Sequence, residues 1–148
     1  MIEFTYVMIK PDGVRKNILD DVVKTFKEND LGVFKIENDT LYDEIVREHY
    51  SHLKDKDFFE ELVEFMCDDV IKMIVVGVDA ISKVRTLIGP TNVMKAKEEA
   101  PNSIRAKYGD PLVDSANAIH ASDSPETALL EIKRFYNIEI VQPKYIEN

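Results

Sequence analysis

Short apolar runs of strand length alternate along this chain with stretches whose apolar residues recur at helical spacing, and that order restricts the fold more than any single motif. The first run, Phe4 to Lys10, is rich in aromatic and branched residues and ends at Pro11-Asp12-Gly13. Proline presets φ there and glycine tolerates positive φ, so the tripeptide predicts a turn. Asn17 suits a helix cap, and Ile18, Leu19, Val22, Val23 and Phe26 follow at helical spacing opposite Asp20, Asp21, Lys24 and Lys27. Leu31 to Tyr42 reads as a second strand, Asp43 to Tyr50 as a short helix, and Phe58, Phe59, Leu62, Phe65 and Met66 as another helical stripe. Lys72 to Val78 has the branched residues and the length of a buried strand. Asp79 is placed to cap a helix through Leu87, which Gly89-Pro90 stops.

From Thr91 to Asp114 the chain is mostly polar, with Pro101, Gly109 and Pro111, and predicts a long loop with one helical turn near Ser103. Loops of that length usually serve a function. A strand over Ala116 to Ala121 comes next. Ser124-Pro125-Glu126 then opens a last helix with Ala128, Leu129, Ile132 and Phe135 as its apolar stripe. Stripped of extra helices, the order is βαββαβ. The expected class is α+β: a ferredoxin-like sandwich whose four-stranded antiparallel sheet is covered by helices packed on one face. The length suits a single domain over residues 1–148, with no internal repeat or linker.

Charge narrows the choice of partners. The net charge of −9 arises from 19 basic and 28 acidic residues, with no dense Lys/Arg block. Such a field repels DNA, RNA and anionic membrane surfaces, so none of these is expected as a partner. An RNA-binding ferredoxin-like module would need a basic face and exposed strand aromatics, which Leu31-Gly32-Val33-Phe34 does not supply. An anionic substrate would require a few cations converging from separate segments. The longest fully apolar run, Met73 to Val78, is six residues, against the roughly 20 that a membrane span needs. The N-terminus lacks the pattern of a secretory signal, and a single cysteine, Cys67, cannot form an internal disulfide. Both features lead to the expectation of a reducing, cytoplasmic setting.

The strongest local signal is Asn117-Ala118-Ile119-His120-Ala121-Ser122-Asp123-Ser124. It sets a histidine at a strand end just before a helix. Neutral imidazole accepts a phosphoryl group well, and a helix N-terminus offers free N–H groups to an arriving phosphate. Alone, a histidine in that context is more often structural. His49 and His52 lie three apart with Cys67 beyond, but no fourth ligand has suitable spacing, so no protein metal site is expected.

The scattered pieces gain meaning in combination. Ile9-Lys10-Pro11-Asp12-Gly13, His49-Tyr50, Lys54-Asp55-Lys56-Asp57-Phe58-Phe59, Arg85, Gly89-Pro90-Thr91-Asn92, Ser103-Ile104-Arg105 and the histidine segment occur in this order. The series closely resembles the nucleoside diphosphate kinase family from about Phe4 to Phe135. That resemblance implies transfer of the γ-phosphoryl group of a nucleoside triphosphate, typically ATP, to a nucleoside diphosphate. The implied route is ping-pong through a phosphohistidine, and it maintains NTP and dNTP pools.

By position, the resemblance implies that His120 is phosphorylated and that Lys10 contacts the transferred phosphate and the sugar hydroxyl. It sets Tyr50 beside the histidine, and Arg85, Thr91 and Arg105 on the β- and γ-phosphates. Phe58 would stack on the base with Leu62 lining the same cleft, Asn117 would contact the sugar 3′-hydroxyl, and Ser122 with Glu131 would buttress the histidine. Lys10, Arg85 and Arg105 come from three separate segments, as the acidic composition requires. Each unit charge pair at ~4 Å and an effective dielectric of ~20 attracts by roughly 4 kcal/mol before desolvation is subtracted. Stacking without readout of the base edge implies tolerance of purines and pyrimidines alike.

The family resemblance further implies Mg²⁺ as cofactor, carried mainly on the nucleotide phosphates, and a homo-oligomer, a hexamer or tetramer built from dimers. Departures from the family pattern fall in Cys67 to Val70, in Val93 to Ala100 and in Ala106 to Ala116. They bear on quaternary state and nucleotide preference rather than on the phosphate ligands. A nucleotide-binding scaffold of the same fold without turnover is the alternative, and the complete set of matched polar residues argues against it.

Overall fold

The computed structural model describes residues 1–140; the expected domain of 1–148 therefore runs past the described residues. Strands β1 (Ile2–Ile9), β2 (Gly32–Thr40), β3 (Asp69–Val78) and β4 (Ile119–Ala121) form one sheet in the order β2-β3-β1-β4. Every neighbouring pair is antiparallel. This is the ferredoxin-like arrangement that the sequence predicts. Helices α1 (Pro11–Arg15) and α2 (Leu19–Glu28) join β1 to β2, and α3 (Asp43–His49) and α4 (Phe59–Met66) are inserted before β3. After β3 come α5 (Ala80–Ile88), α6 (Val93–Glu99) and α7 (Ile104–Tyr108); α8 (Pro125–Tyr136) follows β4.

Helices cover both faces of the sheet, not the one face expected. Val7 and Ile9 of β1 pack with Val22 and Phe26 of α2 and with Val84 and Ile88 of α5. The alternate residues Tyr6 and Met8 pack on the opposite side against Val46, Leu62, Met66, Ile132 and Phe135 from α3, α4 and α8. A central strand buried on both faces has no polar side to present, which explains the apolar run Tyr6 to Ile9.

Local chemistry explains the smaller departures. Asn17 does not cap α2; it sits at φ 55°, a region asparagine tolerates, and Ile18 takes the cap position without a side-chain bond. Asp79 likewise precedes α5 in the left-handed region with no capping bond. The carboxylate of Glu3 accepts from Ile81 N instead, at 3.2 Å. Strand β2 carries an irregularity between Phe34 and Glu37, where Lys35 adopts φ 52°. The predicted loop 91–114 holds two helices. Asn92 caps α6 by accepting from Lys95 N, and Ser103 caps α7 by accepting from Ala106 N.

The Lys10-Pro11-Asp12-Gly13 segment, expected as a turn, begins a short helix clamped to the strand that bears the histidine. Lys10 N donates to Ala118 O at 2.9 Å, and Ala118 N donates to Asp12 Oδ2 at 2.9 Å. The clamp holds Ala118 at φ 72°, an unfavourable conformation for a residue with a Cβ. Gly13 permits the approach, because a Cβ there would meet Ala118 O at 2.5 Å. Gly13→Ala is expected to destabilise the fold by about 1–3 kcal/mol, the usual cost of overpacking, and urea denaturation measures this. An unchanged midpoint would mean that the clamp yields freely.

Candidate active site

His120 lies on the short edge strand β4, paired with Met8 of β1. Its Nε2–H donates to Glu131 Oε1 at 2.9 Å. The same oxygen accepts from Ser122 Oγ at 2.7 Å. A carboxylate can only accept, so Nε2 carries a proton, and in the neutral imidazole the lone pair is then on Nδ1. Glu131 is buried, with 5% of its surface exposed. Burial pushes its carboxyl up, but the hydrogen bonds from His120 and Ser122 outweigh this and hold it below the usual range. Ser122 is itself fixed across the sheet, where Ser122 N donates to Tyr6 O at 3.1 Å.

A cleft of about 660 Å³ opens in front of the imidazole, a size typical of small-molecule sites. Its cations come from separate elements. Lys10, following β1, donates from Nζ to Ser115 O at 2.6 Å and to Asn117 Oδ1 at 2.9 Å. Burial pulls its ammonium down to about 8; Asp12 opposes this and Arg105 adds to it. Arg105, on α7, donates to Gly89 O at 3.0 Å and to Ile119 O at 2.8 Å. Burial, and then the charge of Arg85, lower its guanidinium to about 10. Gly89 is suited to this junction: it ends α5 at φ 87°, and a Cβ would strike Ser103 Oγ at 2.4 Å. Arg85 is exposed on the cleft wall and donates to Ala121 O at 3.3 Å. Neither Lys10 nor Arg105 has a carboxylate within ion-pair distance among the described residues. Two depressed cations facing one cavity form a receptor for an anion.

The remaining lining is graded in polarity. Asn117 joins Lys10 to the loop before α6, since its Nδ2 donates to Thr91 O at 3.1 Å. Tyr50 lines the cleft next to His49, and burial, then the charge of Glu131, raise its phenol. Phe58, 48% exposed at the start of α4, presents a ring to the opening, whereas Phe59 turns into the core. Leu62 serves both cleft and core.

The family model for nucleoside diphosphate kinase matches residues 3–140 of this sequence. The chain belongs to the nucleoside diphosphate kinase family. The nucleoside diphosphate kinase of Aquifex aeolicus is 39% identical over 95% of this chain and 99% of its own length. That of Parabacteroides distasonis is 41% identical over 91% of this chain and 86% of its own. A crystal structure of the Aquifex aeolicus enzyme superposes with a TM-score of 0.86 over 95% of this chain and all of that one. The apo nucleoside diphosphate kinase of Encephalitozoon cuniculi, 36% identical, gives 0.83 over 90% and 88%.

Of the residues that the resemblance to nucleoside diphosphate kinases singles out, Lys10, Tyr50, Phe58, Leu62, Arg85 and Thr91 line this one cleft, as do Arg105, Asn117, His120 and Glu131. Ser122 lies behind the wall, bonded to Glu131. Sequence reasoning missed His49, Tyr6 and Arg134. The ring of His49 meets that of His120 edge-on, with centroids 4.8 Å apart, and Tyr6 lies 6.1 Å away. Adjacency to Tyr50 was the available signal for His49. For Arg134 it was the three-residue spacing from Glu131 on α8, which puts both on one helix face.

His49, His120 and Glu131 gather ligand atoms within 4.8 Å of one another. Each is already engaged: His120 with Glu131, and His49 with Arg134 at 2.9 Å. A guanidinium at the site opposes a dication, and the imidazoles suit a softer ion than Mg²⁺. Among the described residues, no helix is long and apolar enough to cross a membrane.

Proposed function

We propose that this cleft transfers a phosphoryl group from a nucleoside triphosphate to a nucleoside diphosphate in two steps, with His120 Nδ1 as the nucleophile. One observation carries the reading: the bond from His120 Nε2 to Glu131 leaves the Nδ1 lone pair free beside a cleft lined by Lys10, Arg85 and Arg105. In the first step Nδ1 attacks the γ-phosphorus in line. The bond from phosphorus to the β,γ-bridging oxygen breaks, and the diphosphate leaves with that electron pair. In the second, a terminal oxygen of another diphosphate attacks the phosphohistidine and Nδ1 recovers its lone pair. Phosphoryl transfer asks mainly for alignment and charge stabilisation. The three cations take up charge on the phosphates, while Glu131 offsets the positive charge that grows on the ring. Asn117 and Lys10 would meet the sugar hydroxyls, Thr91 the phosphates and Phe58 the base, with Leu62 beneath it.

Mg²⁺ fits this donor set as a phosphate-borne ion. Glu131 is committed to His120 and Ser122, and a hard cation that keeps its waters needs few protein ligands. Asp114 and Asp123, both on the cleft wall, are the carboxylates that would face its hydration shell. The ion supplies charge neutralisation on the phosphates when bound. A scaffold without turnover would have no use for the intact His120–Glu131–Ser122 chain. An assay coupling ATP and a diphosphate acceptor to product formation decides between them. Parallel lines in double-reciprocal plots are expected, and intersecting lines would overturn the two-step route.

Affinity for a nucleoside diphosphate is expected to fall as pH rises above about 8, where free Lys10 loses its proton. Below that pH Lys10 is charged both free and bound, so its contribution is complete. Above it, binding must restore the proton, because adjacent phosphate raises the ammonium pKa. Calorimetry in buffers of differing ionisation enthalpy should show proton uptake above pH 8; none would contradict the assignment.

A homo-oligomer, tetramer or hexamer, also belongs to this reading. Among the described residues β2 is an edge strand of the sheet, with an Ile36 that is 42% exposed, features that native proteins commonly cover. Light scattering would measure the mass. A cytoplasmic setting suits the nucleotide substrates and the free thiol of Cys67.

A further inference from the structure

Arg134 has no part in the mechanism so far, yet it lines the cleft and reaches His49. Its Nη1 lies 2.9 Å from His49 Nδ1. A guanidinium has only hydrogens to give, so Nδ1 of His49 must be the accepting nitrogen, and the ring proton sits on Nε2. The other carboxylate oxygen of Glu131, Oε2, is 3.8 Å from that same Nδ1, beyond a hydrogen bond. Glu131 thus stands between two imidazoles and bonds only one. Arg134 is three residues beyond Glu131 on α8, and Glu48 Oε1, 3.9 Å from its Nε, helps to hold it.

We propose that Arg134 is a positioning residue that locks His49 in its Nε2–H tautomer and so leaves Glu131 to His120 alone. Without Arg134, His49 can shift its proton to Nδ1 and donate to Oε2. That bond, from a neutral donor to a buried carboxylate, is the strong charge-assisted kind. It would draw the carboxylate toward His49 and weaken the bond that orients His120. The change needs no net proton uptake. Burial and then His120 hold the imidazolium of His49 down to about 3, with Arg134 and His52 adding to this and Glu131 opposing it. The other groups around the ring are Tyr50 and Phe135, in edge contact.

The inference rests on His120 being the nucleophile. Nitrogen-15 NMR of the full chain labelled at histidine reads the tautomer of His49 directly. A single turnover with Mg·ATP reads the rate of His120 phosphorylation. The wild-type protein should show His49 protonated at Nε2. Arg134→Met should move the proton to Nδ1 and slow phosphorylation about tenfold, the effect of weakening one hydrogen bond to a charged group. Arg134→Lys, which keeps a donor-only cation, should restore both. An unchanged tautomer in Arg134→Met, a slower rate without a tautomer change, or an Arg134→Lys protein that behaves like the methionine variant would each overturn the proposal. Absence of phosphate on His120 in the wild type would instead defeat the phosphotransfer reading, and the NMR result would stand apart from it.

Discussion

Replacing His120 with alanine is expected to cut phosphate exchange by about 10⁴-fold or more, to background, since the imidazole lone pair that the route requires goes with it. Ser122 donates its hydroxyl to Glu131 and sits behind the wall. Tyr50 is held in its neutral form by burial. The imidazole also fills little of the core, as its side chain is 22% exposed. His120→Ala should therefore keep its fold and its affinity for nucleotide while losing turnover. Retained exchange in the coupled assay would reassign the nucleophile.

Lys10→Met is expected to lower kcat/KM by about 10²–10³-fold, the usual loss when one preorganised donor to a developing charge is removed. Thermal stability should hold or rise. Burial pulls the Lys10 ammonium down, so its charge is costly to hold there, and methionine matches the length of the side chain. Activity and stability moving in opposite directions is the mark of a group held for its ligand. A parallel fall in Tm would indicate that the bonds to Ser115 O and Asn117 Oδ1 serve the fold first.

The periodic segments were the legible part of the fold. The run Phe4 to Ile9 and the stripes of α2 and α8 fix strands and helices directly, because burial of one apolar face leaves a regular spacing. The same run also held the clue to helices on both faces, since a strand covered on one side alternates and this one does not. The helices within 91–114 were obscured by short length and by polar and proline residues. They depend on the Asn92 and Ser103 caps and on packing of Val93, Ala96 and Ile104, which is tertiary information.

In the site, single residues carried little signal. Glu131 looks like an exposed helix acid, and its burial follows only from α8 docking along β1 next to His120. Lys10 looks like a solvated strand end until Asp12 and Gly13 clamp it to Ala118. The family motif, not spacing, joined these positions. His49 and Arg134 escaped because a hydrogen bond between residues 85 apart leaves no periodic trace.

The most direct test of the phosphotransfer account is mass spectrometry of the intact chain after brief exposure to Mg·ATP, followed by addition of a nucleoside diphosphate. The account predicts one acid-labile phosphoryl group, mapped to the peptide containing His120 and discharged completely by the diphosphate. A chain that gains no mass, or an acid-stable phosphate on another residue, would contradict it.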